Sequence, residues 1–277
     1  MRIDAAIKNG TEKLSESSSS ARLDTELLLA YCLGKPRSYL YTWPEKTLNP
    51  AQQESFLRLL TQRQSNCPIA YLTGYQEFWS LNIIVTPDVL IPRADTELLV
   101  ETALEKIAKL EKPKILELGT GSGAIALALA TERPDCEITA TDLSAKALAV
   151  AEKNKQNLSI SNISNIQSNW FQSIPSNTFD LIVSNPPYID PTDEHLMGAI
   201  RHEPIQALTS DNKGLSDLEH IASNAQRFLN SGGWLILEHG YDQGKLVSNI
   251  LAKAAYQQIS CLSDLSENDR INVGSKR

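Results

Sequence analysis

From Lys112 onward the chain alternates short apolar runs with helical patterns, and this alternation constrains the fold more than any other feature. Strands joined through helices return parallel to one another, so repeated βα units imply a sheet with helices packed on it. The runs 114-KILELG-119, 136-CEITATD-142, 163-ISNIQS-168, 179-FDLIVS-184 and 233-GWLILEH-239 read as strands, with two more near Ala255–Leu262 and Arg270–Val273. Helices are expected around 122–131, 144–157, 215–230 and 243–254. The pattern predicts an α/β domain with a parallel-type sheet over residues 92–277.

Upstream the period is helical. Leu23, Leu27, Leu28 and Ala30 share a face in 21-ARLDTELLLAYCLG-34, which stops at Gly34 with Pro36 beyond, and Phe56, Leu57, Leu59 and Leu60 mark a helix after Pro50. With 17-SSSS-20 as a loop, residues 1–72 read as a small helical-bundle domain. Residues 73–91 change period: Phe78, Trp79, Ile83, Ile84 and Val85 flank Ser80-Leu81-Asn82 as a β-hairpin connector would, with Phe78 and Trp79 in its core. A helix is expected to start near Asp95, with Thr96 and Glu97 in its first turn.

Charge narrows the partners. The net charge is −7, but residues 1–73 carry +2 and the remainder −9. A broad phosphate-tracking surface is not expected from the larger, acidic part. The four cysteines, Cys32, Cys67, Cys136 and Cys261, lie far apart, and His195, His202, His220 and His239 are scattered, so no metal site is expected. Such cysteines read as small buried hydrophobes of a reducing compartment. No apolar leader is visible in MRIDAAIKNG, and the run 124-AIALALA-130 is too short to span a bilayer, so the expectation is a cytoplasmic protein.

Two loops carry the chemistry. After the first strand comes 117-ELGTGSGAIALALA-130, where Gly119, Gly121 and Gly123 permit a tight turn and close approach to a ligand just before a helix. The spacing is G-x-G-x-G, not the G-x-G-x-x-G of dinucleotide enzymes, although a nicotinamide enzyme stays the alternative on this loop alone. Asp142 ends the next strand, where an acid reaches a ribose diol; capping the following helix is its other reading. The second loop, Asn185-Pro186-Pro187-Tyr188, breaks an apolar strand abruptly, because two prolines remove N–H donors and fix φ. The stretch reads as a rigid shelf of carbonyl oxygens and an aromatic ring, Tyr188, suited to holding something flat.

The E-x-G-x-G-x-G loop with its strand-end acid resembles that of class I S-adenosylmethionine-dependent methyltransferases, and Asn-Pro-Pro-Tyr resembles the target loop of those that modify planar nitrogens. The resemblance narrows to the glutamine N5-methyltransferases of peptide-chain release factors (the PrmC/HemK family). It runs through 22-RLDTELLLA-30, 68-PIAYLTGYQEFW-79, 91-IPRADTELL-99, 117-ELGTGSGAIAL-127, 167-QSNWF-171, 184-SNPPYI-189, Glu203-Pro204, 237-LEHGYDQG-244 and 264-DLSENDR-270. It implies a Rossmann-like, seven-stranded, mostly parallel sheet. It also implies methylation of the Gln in the Gly-Gly-Gln loop of class I release factors, with S-adenosyl-L-methionine as cofactor and the helical domain helping to dock the protein substrate. By the same resemblance Glu117, Gly119, Thr120, Gly121, Ser122, Gly123, Asp142, Trp170 and Asn185 hold the cofactor. Asn185, Pro186, Pro187 and Tyr188 form the glutamine pocket, with Pro92 and Arg93 at its mouth; Arg93 is equally suited to a structural ion pair. Catalysis falls to Asn185, Pro186 and Tyr188. A monomer is expected, with no direct nucleic-acid or membrane partner; the rival function is methylation of adenine N6 or guanine N2 in nucleic acid. The chain departs from the family at Glu117, Ala94 and Asn169, where the family has Asp, Pro and an acid, and at Asp211-Asn212-Lys213, where it is Gly-rich.

Overall fold

The computed structural model describes residues 1–175, 178–197 and 199–277. The chain divides into two compact units, residues 1–75 with 195–202, and residues 76–194 with 203–277.

In the first unit, helices Ile3–Leu14, Ala21–Leu33, Ser38–Thr42, Pro50–Gln64 and Ile69–Thr73 enclose a core that includes Leu28, Leu29, Phe56, Leu59 and Leu60. Gly34 ends the second helix with φ 60, a left-handed conformation that glycine adopts without a Cβ clash. Asn49 and Gln52 form a capping box ahead of Pro50, which occupies the first helical position. The buried face of Ala21–Leu33 differs from the expected one: Leu23 is exposed, as is Leu57 on the later helix, while Asp24 and Glu26 are buried. The acids are inside because they are fully partnered. Asp24 accepts from the Ser18 and Ser20 hydroxyls and from Arg63 Nε at 2.7 Å. Glu26 accepts from Arg22 and from the Tyr41 hydroxyl at 2.6 Å, with Arg37 beside it. The serine run is thus a loop pinned by a buried carboxylate.

In the second unit, strands β1 (Tyr75–Phe78) and β2 (Leu81–Ile84) form the hairpin. Its turn is Trp79-Ser80, not Ser80-Leu81-Asn82, and both residues take left-handed φ, 53 and 57. Side-chain acceptors hold that turn: Trp79 N–H donates to Glu97 Oε1 and the indole N–H to Glu132 Oε1, both at 2.8 Å. Phe78 is buried, and Trp79 half-buried.

The main sheet comprises β3 (Lys114–Leu118), β4 (Glu137–Asp142), β5 (Ile163–Gln167), β6 (Phe179–Ser184), β7 (Leu229–Glu238), β8 (Gln257–Ser263) and β9 (Asp269–Ser275), in the order β5-β4-β3-β6-β7-β9-β8. β9 pairs antiparallel with both neighbours, and the other pairings are parallel. Central strands of such a sheet are buried on both faces, which explains their continuous apolar runs. Leu116, Leu118, Ile182, Leu235 and Leu237 pack with the helices Ser216–Ala225 and Gly244–Lys253. Alternation turns Glu117, Val183, Ile236 and Glu238 to the opposite face, where the helices Glu97–Ile107, Ala124–Glu132 and Ala145–Asn157 pack. The helix expected over 215–230 stops at Ala225, and β7, expected from Gly233, starts at Leu229.

Asn154, inside the helix Ala145–Asn157, ties the hairpin to the glycine loop. Its Oδ1 accepts from Ile84 N–H at 2.7 Å, and its Nδ2 donates to Ile84 O and Ser122 O, each at 2.9 Å. The side chain is 1 % exposed. Asn154→Ala strands three buried backbone groups, so we expect a loss of about 2–4 kcal/mol of stability, read by urea unfolding. A loss below about 1 kcal/mol would mean that water replaces the amide.

Candidate active site

Leu118 lies opposite Thr141 on β4 and Ser184 on β6, so Gly119, Asp142 and Asn185 emerge together at one edge of the sheet. This is the point where strand order reverses, the place open α/β sheets offer a ligand. A cavity of about 320 Å³ opens there, and the residues lining it include Asp88, Leu90, Gly119, Gly121, Asp142, Asn169, Trp170, Asn185, Pro187, Pro204 and Asp217. Three of these are carboxylates, and none of the lining residues is Lys or Arg. Such a lining suits a cationic ligand of nucleoside size.

The glycine loop folds as its sequence demands: Gly119, Gly121 and Gly123 take φ of 74, 55 and 85. Gly123 is also crowded, since a Cβ there would meet the Ala151 Cβ at 3.2 Å. Thr120 N–H donates to Thr141 O, and Gly121 N–H to Asp142 Oδ2, both at 2.8 Å. Asp142 Oδ1 accepts from Ser144 N–H at 2.8 Å. The N-cap of the next helix is Ser144, whose hydroxyl accepts from Ala147 N–H at 3.2 Å, so Asp142 does not serve as the cap. Burial raises the Asp142 carboxyl above its ordinary value, offset by the N–H groups of Ser144 and Gly121.

Glu117, Thr120, Ser122 and Gly123 stand behind this surface and do not line the cavity. Thr120 Oγ1 donates to Glu117 Oε2 at 2.7 Å, and Ala126 N–H to the same oxygen at 3.1 Å, while Oε1 has no hydrogen-bond partner among the described residues. Burial pushes the Glu117 carboxyl up from 4.5 to about 8. The folded chain then keeps a proton that the unfolded chain releases, so this group costs stability as pH rises from about 4.5 to about 8. Glu117→Gln keeps an acceptor oxygen and removes the titration. We expect its Tm to exceed the native value by roughly 2–4 °C at high pH, as about 1 kcal/mol gives, with no gap near pH 4.5. A gap that did not vary with pH would show that Glu117 does not titrate in this way.

Trp170 lies against Gly119, where a Cβ would stand 3.8 Å from its ring, and its indole N–H donates to Asp217 Oδ1 at 3.2 Å. Asn169 lines the cavity and is exposed. In the target loop, Asn185 and Pro187 line the cavity, Pro186 is buried, and the Tyr188 ring packs on the core cluster. Burial, and then Glu238, raise the Tyr188 phenol far above its ordinary value. Asn185 Nδ2 donates to Thr96 Oγ1 at 3.3 Å. Behind the loop, Gln243 Nε2 donates to Tyr188 O at 3.0 Å, and Ile189 bridges Thr209.

Arg93 does not line the cavity; it pairs with Glu203, whose other oxygen accepts from Ile91 N–H at 3.0 Å. Glu203 is buried, and the adjoining Pro204 forms part of the cavity wall. His239 is buried against Gly240 O, and burial lowers its pKa; the His195 side chain lies outside the described residues. Cys136 is buried, whereas Cys32, Cys67 and Cys261 are half-buried, all as free thiols. Sequence reasoning missed Asp88, Asp217 and Gln243, which are brought in by tertiary packing. Thr96 was placed in a helix's first turn, not beside Asn185. The single sequence clue was that Gln243 falls within 237-LEHGYDQG-244.

Residues 5–74 match the PrmC N-terminal domain family, and residues 94–211 match the methyltransferase small domain family. The Release factor glutamine methyltransferase of Shewanella oneidensis is 48% identical over 95% of this chain and 92% of its own length. That of Vibrio cholerae is 48% identical over 98% and 96%, and that of Escherichia coli 46% over 94% of each. Among solved structures, a methyltransferase from Pyrococcus furiosus matches with TM-score 0.53 at 18% identity, covering 81% of this chain and 98% of that one. The catalytic domain of hMettl16, solved in complex with MAT2A 3'UTR hairpin 6, matches with TM-score 0.57 at 16% identity, covering 79% and 82%. These last two share the class I methyltransferase fold. On the near full-length identities, the chain belongs to the release factor glutamine methyltransferase family.

Proposed function

We propose that this chain transfers a methyl group from S-adenosyl-L-methionine to the side-chain amide nitrogen (N5) of the glutamine in the Gly-Gly-Gln loop of class I release factors. The observation that carries the reading is the juxtaposition of Asn185 and Pro187 with an acid-lined cavity at the reversal point of the sheet, in a member of this family. When bound, the cofactor supplies an electrophilic methyl group on a sulfonium centre. Gly119 and Gly121 leave room for its close approach, Asp142 offers its remaining lone pairs to a ribose diol, and Trp170 packs beside the base. Glu117, Thr120, Ser122 and Gly123 shape that loop from behind.

An amide nitrogen is a poor nucleophile because its lone pair is delocalised. Asn185 Oδ1 and the Pro186 carbonyl accept its two N–H bonds, which favours pyramidal character and aims the lone pair. Pro186 and Pro187 keep those acceptors still, and Tyr188 supports the loop from the core side. The nitrogen becomes cationic on methylation and then releases a proton readily, so no strong base is needed. Arg93 acts through its pairing with Glu203, which holds the segment leading to Pro204. The protein substrate places the reaction in the cytoplasm, with the chain acting as a monomer. Among the described residues, no helix is long and apolar enough to cross a membrane.

Labelled methyl transfer to purified release factor, DNA and RNA tests the reading. Label on the release factor, lost when its loop Gln becomes Ala, is expected. Label on nucleic acid alone would overturn it.

A further inference from the structure

One buried carboxylate beside the site has no role in this scheme. Glu238 ends β7, is 2 % exposed and does not line the cavity. Ser184 pairs with Leu237, so the next residues, Asn185 and Glu238, leave the sheet side by side, on the face that carries Thr96. There Asn185 Nδ2 donates to Thr96 Oγ1 at 3.3 Å, and the Thr96 hydroxyl faces the Glu238 carboxyl and favours its charged form. The Tyr188 hydroxyl approaches Glu238 Oε1 at 3.5 Å, and Oε2 has no hydrogen-bond partner among the described residues. One carboxylate therefore meets the supports of both ends of the four-residue loop. A carboxylate is a costly filler for such a position, because burial of charge is opposed unless its partners compensate.

We propose that Glu238 is a positioning residue for the target loop: it takes the Thr96 hydroxyl proton, so that Thr96 Oγ1 accepts from Asn185 Nδ2 and Asn185 Oδ1 is presented to the substrate amide. The inference rests on the role given to Asn185 above. A hydroxyl has one proton and two lone pairs, so its direction is set by whichever neighbour accepts that proton. With Thr96 acting as acceptor toward Asn185, a flipped Asn185 amide would place oxygen against oxygen. The correct orientation offers the substrate an acceptor, and the flipped one would offer its NH2 group a donor. An ionised Glu238 accepts only; a protonated one keeps an acceptor oxygen but can also donate, which weakens its hold on the Thr96 orientation.

Burial is the main force on Glu238 and holds its carboxyl up to about 7, with Thr96 and Arg270 favouring the charged form and Asp95 opposing it. Arg270 is itself shared between Asp95 at 3.2 Å and Asp264 at 2.8 Å, Tyr188 faces the carboxyl from the loop, and His239 follows it in the chain. Turnover is accordingly expected to rise with pH through about 7 as the acceptor form fills.

The test is Glu238→Gln in the full chain, with kcat and KM for methyl transfer to purified release factor measured between about pH 6 and 9, and with the cofactor Kd from calorimetry. We expect kcat to fall about tenfold or more, KM and cofactor Kd to change little, and the pH limb near 7 to vanish. A merely structural role would lower Tm without altering the shape of the pH profile. Thr96→Val cuts the same relay with Glu238 intact and is expected to lower kcat likewise; it decides the matter if Glu238→Gln does not fold. Native kcat and an unchanged pH limb in whichever variants fold would overturn the proposal. Asn185→Ala runs alongside: native turnover in that variant would instead overturn the reading of the site itself.

Discussion

Asn185→Ala is expected to retain cofactor binding while losing about 10²–10³-fold in kcat, the cost of removing one preorganised hydrogen-bonding group from a transition state. The expectation follows from where Asn185 sits. It is the first residue beyond β6, it lines the cavity, and Thr96 fixes one end of its amide, leaving the other end for the substrate. On the proposed role, its loss removes an acceptor for the target nitrogen as it pyramidalises, so kcat is expected to suffer more than KM. Asp142→Ala should show the opposite division. Its carboxylate receives Gly121 N–H and Ser144 N–H, so removal loosens the glycine loop and weakens cofactor binding first. Isothermal titration of the cofactor, with single-turnover methyl transfer, separates the two. Native kinetics in both variants would refute the assignments.

Gly214→Ala is expected to be nearly as damaging, although the residue lies outside both recognised loops. A Cβ at Gly214 would stand 2.0 Å from Tyr188 O and 2.6 Å from Tyr188 C, far inside van der Waals contact. The carbonyl has little freedom to retreat, because Gln243 Nε2 holds it at 3.0 Å and Ile189 is bonded on both sides, to Leu208 O and Ser210 N. The added methyl must therefore push Tyr188 and the target loop, and a displacement near 1 Å at such a site costs about 10²-fold. Gly232→Ala is the control: Gly232 also has positive φ, 78, but nothing within 4 Å of a new Cβ. It should lose about 1–2 kcal/mol to backbone strain and keep its turnover. Native turnover in Gly214→Ala would show that the 211–214 segment, not Tyr188, yields.

The sequence made the sheet legible because its strands are buried on both faces and read as unbroken apolar runs bounded by Gly, Pro and Asp. Asn185-Pro186-Pro187 was legible for the converse reason, since nothing regular can continue through it. The hairpin turn was displaced because Trp79 and Ser80 are poor residues for left-handed φ; the two acceptors that hold Trp79, Glu97 and Glu132, lie far along the chain. The buried acids Asp24 and Glu26 were hidden among leucines for a similar reason: Arg63 and Tyr41 reach them only in the folded bundle. In the site, glycine spacing disclosed the loop, but Asp217 under Trp170 and Thr96 under Asn185 have no local signature. Asn212 and Lys213 run through left-handed φ of 55 and 57, the conformation that glycine takes at least cost.

The grouping of residues 195–202 with residues 1–75 means that the polypeptide passes between its two units three times. Arg201 and His202 both bond Ser65 O, at 3.2 and 3.1 Å. Cutting the chain at residue 75 would therefore strip an internal stretch of the catalytic half of its folding partner, one residue ahead of Glu203 and its pairing with Arg93. The N-terminal unit is therefore not one continuous stretch of chain.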